Sequence, residues 1–96
     1  MKKGEWLFEK FRLQAAMHSE ISKIFKKYEK KRSKIISQFN QEIETLGNSG
    51  KKITLDVKNQ TWKQGGYGTL LNQLQKRAGT AVSDVKKKYM AEINKL

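Results

Sequence analysis

The stretch from Glu5 to Leu46 contains neither proline nor glycine, and the whole chain has no proline. Because these two residues most readily end a helix, nothing here forbids a helix of unusual length. The apolar residues recur mainly three and four positions apart, which is the period of an amphipathic helix. The sequence therefore predicts a helix over about residues 5–46, formed as one segment or as two. Its main apolar face carries Ile21, Tyr28, Ile35, Phe39 and Leu46.

The segment that follows predicts a loop and a short strand, over about residues 47–68. Gly47 stands where a left-handed helix cap is expected, and GNSG at 47–50 is typical of a loop. In KITLDVK, residues 52–58, apolar and polar residues alternate, so that Leu55 would point to a buried face. Two alternatives would satisfy the backbone of such a strand: a hairpin turning at residues 58–59, or pairing with a second copy.

A second amphipathic helix is predicted over about residues 69–95. The glycines of GGYG at 65–68 predict a hinge before it, Thr69 is a candidate N-cap, and Gly79 marks a candidate break. The fold class is thus mostly α: residues 1–96 form a single small basic domain, a helical hairpin or bundle that includes one short strand or hairpin.

Dimerisation is expected to complete this bundle. At 1.5 Å per residue the first helix would span about 60 Å and the second about 40 Å, so the second cannot cover the whole apolar face of the first. Arg32 lies within that face. Three alternatives are open for it: its guanidinium reaches water, it pairs with Glu29, or it sets the register of a dimer. The predicted dimer or partner interface consists of Ile21, Tyr28, Arg32, Ile35, Phe39 and Leu55.

Charge is the strongest indication of function. The 96 residues include 21 Lys and Arg against 9 Asp and Glu, a net charge of +12, which favours a polyanionic partner over a generically basic protein. The absence of cysteine excludes disulfides and thiolate metal sites. No apolar run approaches the roughly 20 residues of a membrane span, and no secretory apolar region is evident. An intracellular, cytoplasmic location is expected.

Residues 23–34, KIFKKYEKKRSK, concentrate this charge, since seven of the twelve are Lys or Arg and only Glu29 is acidic. On a helix, Lys23, Lys27, Lys30 and Lys34 fall within about 60° of one another and form a row roughly 16 Å long. We call these four residues the lysine row. Lysines also occupy the solvated face of ordinary helices, but there they usually alternate with acids. The row therefore favours contact with successive phosphates.

The sequence accordingly predicts a small protein that binds DNA or RNA through the phosphate backbone, with low sequence specificity because lysine is a point charge. The alternative is a non-enzymatic protein-interaction module with an acidic protein partner, and a third reading is contact with a membrane surface. Around Gly79 the sequence matches the helix-turn-helix pattern at two positions and departs from it at two others. The predicted nucleic-acid-binding residues are Lys23, Lys26, Lys27, Lys30, Lys31, Lys34, Lys51, Lys52, Arg77 and Lys88.

No catalytic, metal or cofactor site is predicted. His18 is the only histidine, its nearest carboxylate in sequence is Glu20, and the remaining acids are scattered. Trp62 and Tyr67 stand beside glycines and Lys63, a composition that also occurs in base-stacking surfaces. Without a second stacking platform, Trp62 is expected to cap the core instead. The protein is therefore expected not to be an enzyme.

Overall fold

The computed structural model describes residues 2–96, which form three α-helices and no β-strand. Helix α1 is Lys3–Asn48, α2 is Leu55–Gln64 and α3 is Tyr67–Asn94. The mostly helical class and both long amphipathic helices are confirmed. The first of them is one uninterrupted helix rather than two.

The predicted strand at residues 52–58 is wrong, because α2 begins inside it. Thr54 is the N-cap of α2: its backbone is extended, and its hydroxyl oxygen accepts a hydrogen bond from the Val57 amide at 3.2 Å. Asp56 in the first turn favours the same helix start. Leu55 consequently does not line a buried strand face, since 73% of it is exposed. A two-stranded ribbon with a second copy is therefore excluded for this segment.

The end of α1 also differs from the prediction. Gly47 is not a left-handed cap, because it lies within α1, which continues to Asn48. The left-handed residue is Gly50, with φ of 86°, where the absence of a side chain permits this conformation. The amide of Gly50 donates to the Gly47 carbonyl, and that of Lys51 donates to Leu46, which closes the helix end.

The start and interior of α3 require two further corrections. Gly66, with φ of 68°, separates α2 from α3, as the predicted hinge requires. Thr69 is not the N-cap, because α3 already begins at Tyr67 and Thr69 lies in its first turn. Gly79 does not break α3, which remains helical through it.

The residues divide into two compact units, and each contains part of α1 and part of α3. Unit 1 comprises α1 as far as Lys27 together with Arg77–Leu96. Its core consists of the buried Leu13, Tyr89 and Ile93, so α1 and α3 pack together here as a predicted helical hairpin requires. Four partly buried apolar residues pack against this core: Ala16, Met17, Val85 and Leu96.

A polar contact joins the two helices of unit 1. The Tyr89 hydroxyl donates a hydrogen bond of 2.7 Å to Oε1 of Glu20. This hydrogen bond, with burial and the nearby negative charge of Glu20, raises the pKa of Tyr89 above its ordinary value.

Unit 2, Tyr28–Lys76, is built around three aromatic rings, one from each helix. Phe39 of α1 meets Trp62 of α2 edge-on at a centroid distance of 4.9 Å and Tyr67 of α3 at 5.5 Å. The Tyr67 hydroxyl donates to Oε1 of Glu42, which raises the pKa of Tyr67. Trp62 is half-buried in this cluster, as expected for a residue that caps a core.

Two glycine substitutions test this packing in opposite directions. A Cβ at Gly68 would lie 2.9 Å from Nε1 of Trp62, whereas a Cβ at Gly79 meets nothing within 4 Å. We expect Gly68→Ala to lower the free energy of unfolding by about 1–3 kcal/mol, through overpacking. Gly79→Ala, in the interior of α3, should raise it by about 0.5–1 kcal/mol. Urea unfolding followed by circular dichroism measures both, and equal effects of the two changes would contradict the described packing.

The two tyrosine–glutamate hydrogen bonds predict a loss of stability in alkali. Both tyrosines have a higher pKa in the folded protein than the value of about 10 expected in the unfolded chain. Their hydrogen bonds therefore stabilise the folded state fully below the unfolded pKa, and this stabilisation is lost as the pH rises through the folded pKa. The double variant Tyr67→Phe/Tyr89→Phe should therefore be less stable than the wild type at pH 8, and the difference should shrink between pH 10 and pH 12. Urea midpoints across this range test it; a pH-independent difference would be the contrary result.

Candidate nucleic-acid interface

The lysine row lies entirely on α1, and all four of its side chains are exposed. Lys23 and Lys27 belong to the α1 segment of unit 1, and Lys30 and Lys34 to that of unit 2. The flanking Lys26 and Lys31 are exposed as well. The prediction of helix for this segment is therefore confirmed, and every cation in it is open to solvent.

No side chain among residues 2–96 neutralises the lysine row. Within the part of the chain that the structure describes, none of its four ammonium groups forms an ion pair or a hydrogen bond. Arg12 shows the contrasting arrangement, because it contacts Glu9 three residues earlier at 2.7 Å. This hydrogen bond lowers the pKa of Glu9 and raises that of Arg12. Glu20 stands three residues before Lys23, but its carboxylate accepts the hydrogen bond of Tyr89, so the like charges of the lysine row remain available to an external anion.

The other predicted binding residues are exposed but lie on different elements. Lys51 and Lys52 occupy the segment between α1 and α2, in unit 2. Arg77 and Lys88 lie on α3 in unit 1, where Nζ of Lys88 sits 5.2 Å from the centre of the Tyr89 ring. This cation–π contact holds Lys88 against its own helix.

The predicted interface residues have mixed environments. Ile21, Tyr28, Ile35 and Phe39 are already half-buried within one chain. Arg32 is exposed and forms no ion pair with Glu29 in the described residues, so its guanidinium reaches water. Leu55 is exposed at the start of α2.

A polar groove in unit 2 has no counterpart in the sequence analysis. It encloses about 690 Å³ between the last turns of α1 and helix α2, with Leu46 and Val57 among its apolar lining. The Glu42 carboxylate in its wall is already bonded to Tyr67. The sequence does not predict this groove, because the alternation in residues 52–58 indicates a strand and so does not place the glutamines of α1 and α2 together. These glutamines are Gln38, Gln41, Gln60 and Gln64.

The described residues offer neither a metal site nor a membrane-spanning helix. Within residues 2–96, no group of three or more His, Cys, Asp or Glu side chains is placed to hold a metal ion. Over the same residues, no helix has both the length and the apolar character needed to cross a membrane. Comparison of the chain with known protein families, with curated proteins and with solved structures finds no match.

Proposed function

We propose that this protein binds DNA or RNA through the phosphate backbone, with the lysine row as the central contact. The observation that supports this proposal is a row of exposed lysines on one helix without an acidic partner. A solvated helix face that serves only solubility usually intersperses both signs of charge. Self-repulsion within the row is relieved when phosphates approach it.

The mode of binding follows from the residue types. Ammonium groups contact phosphate oxygens as point charges and do not make the bidentate contacts by which arginine recognises guanine. The chain has only three arginines, Arg12, Arg32 and Arg77, and Arg12 is already held by Glu9. We therefore expect little discrimination between sequences. The proposed role is binding without catalysis and without a cofactor.

A second candidate function is protein interaction, and large exposed apolar side chains favour it. Phe8 and Phe11 in the first turns of α1 are 68% and 61% exposed, and Leu55 is 73% exposed. Apolar groups of this size on the surface are typical of contact sites. With a net charge of +12, the protein would select an acidic partner.

Neutralising the lysine row tests the leading proposal. The variant with Lys23, Lys27, Lys30 and Lys34 all changed to Gln should bind a labelled duplex more weakly at every salt concentration. If the row contacts four phosphates, its loss should also reduce the slope of log affinity against log salt by about 3.6. Fluorescence anisotropy titrations between 50 and 300 mM salt would measure both effects, on duplexes of two unrelated sequences and on single-stranded RNA.

The control variant carries the same change in net charge elsewhere. Lys58, Lys63, Lys86 and Lys87 are exposed residues outside the predicted binding set, and changing all four to Gln should alter the slope much less. Equal losses in the two variants would show that only total charge matters. Absence of wild-type binding at 50 mM salt, together with a stoichiometric protein partner after nuclease treatment, would replace the proposal by the interaction module.

A further inference from the structure

Helix α1 carries a second, mainly apolar seam in unit 1, which includes three phenylalanines and is distinct from the face that packs on α3. Its residues alternate at spacings of three and four, as the core positions of a coiled coil do. Between Phe8 and Phe25 the seam extends for about 26 Å. It is flanked on one side by Glu5, Arg12 and Lys26. The seam comprises Phe8, Phe11, Ala15, His18, Ser22 and Phe25.

The structure leaves this seam uncovered. All six of its residues are exposed, and Phe8, Phe11 and Phe25 retain 68%, 61% and 51% of their accessible surface. The α1 residues that contact the core with α3, among them Leu13 and Met17, lie on the opposite side of the helix, about 180° away. Helix α3 therefore cannot cover the seam without leaving its own core.

Unit 2 shows how a third helix covers part of α1. Phe39 lies on the α1 face that also carries Tyr28 and Ile35, and there Trp62 of α2 packs against the phenylalanine ring. Unit 2 thus contains segments of three helices, whereas unit 1 contains segments of only two. The missing element in unit 1 is a third helix against the seam.

We propose that a second copy of this chain supplies that helix, by antiparallel pairing of the two seams. Charge along the flank supports this occupant. Glu5 lies near one end of the seam and Lys26 near the other, on the same side. In antiparallel pairing, a two-fold axis perpendicular to the helices places the charged flanks of both copies on the same side of the interface, running in opposite directions. Glu5 of each copy therefore meets Lys26 of the other. A parallel pair would instead place the two charged flanks on opposite sides of the interface, where Glu5 of one copy could not meet Lys26 of the other.

The sizes of the seam residues also fit antiparallel pairing of the two copies. When Phe8 of one copy lies level with Phe25 of the other, Phe11 faces Ser22 and Ala15 faces His18. Aromatic rings then stack at the two ends, while at Phe11 a large side chain meets a small one, as close packing of helices requires. This interface differs from the dimer interface predicted from the sequence, because Ile21, Tyr28, Ile35 and Phe39 of that interface are half-buried within a single chain.

The interface leaves the lysine row accessible. The row is centred about 120° around α1 from the seam, so neither α3 nor the second copy would cover it. Each copy carries +12, and screening by salt should therefore favour association. Salt has the opposite effect on phosphate binding. The dimer requires no nucleic acid, so its test is independent of the proposed function.

Mass in solution is the first test. Light scattering and sedimentation equilibrium, on nuclease-treated protein at 10–300 μM in 0.5 M salt, should give twice the 11.2 kDa mass of the chain. Phe8→Glu/Phe11→Glu should raise the dissociation constant by about a hundredfold or more, because it buries unpaired charges. Leu55→Glu/Leu70→Glu makes the same change in charge at other exposed apolar residues and should leave the dimer intact. Circular dichroism establishes that both variants are folded.

Crosslinking tests the antiparallel register. The chain has no cysteine, so single cysteines can be introduced without background. A mixture of Glu5→Cys and Lys26→Cys proteins should be joined by a short bis-maleimide, and either protein alone should not. Lys26→Glu should weaken the dimer, and adding Glu5→Lys to it should restore much of the loss.

Three results would overturn the proposal. The first is a monomer at 300 μM in 0.5 M salt, and the second is crosslinking of Glu5→Cys protein to itself. The third is a monomer that instead binds an acidic amphipathic peptide or anionic vesicles through Phe8 and Phe11, which would assign the seam to another class of partner.

Discussion

An unbroken helix of 46 residues needs a cover for its apolar side, and this need governs the rest of the structure. In water a helix gains most of its stability from packing rather than from intrinsic propensity. Neither of the other two described helices matches α1 in length, since α3 has 28 residues and α2 has 10. Two shorter helices therefore share the task of covering α1. Helix α3 contributes to both units, whereas α2 contributes to unit 2 alone.

The resulting cores are thin, and a polar contact supplements the packing in each of them. In the described residues only Leu13, Tyr67, Tyr89 and Ile93 are buried apolar side chains. Each tyrosine hydroxyl reaches a glutamate of α1, so that a buried ring also satisfies its polar end. These hydrogen bonds are directional, so they specify which turn of α1 meets which turn of α3, a choice that apolar packing alone constrains less strictly.

Helix α1 also presents surfaces that its own chain does not cover. Among the described residues, none forms an ion pair with the lysine row, and no helix packs on the seam from Phe8 to Phe25. The proposed functions of these surfaces are compatible, because they occupy different sides of α1. A dimer built on the seam would carry two lysine rows, and this would increase the number of phosphates that one assembly can neutralise.

The sequence by itself determined the two long helices, because their apolar residues recur with a period near 3.6 over many turns and neither segment contains proline. It also determined the charge of residues 23–34, which needs no tertiary contact. Only the tertiary structure decided the segment around α2. Ile53, Leu55 and Val57 alternate like a strand, yet Ile53 and Val57 are half-buried while Leu55 is exposed. Over seven residues, a spacing of four marks Ile53 and Val57, which a period of two marks as well, so this short pattern does not distinguish a helix from a strand. The Thr54 cap, a local contact with the Val57 amide, and the packing of Trp62 on Phe39 select the helix, and the second of these contacts exists only once α1 and α2 lie side by side.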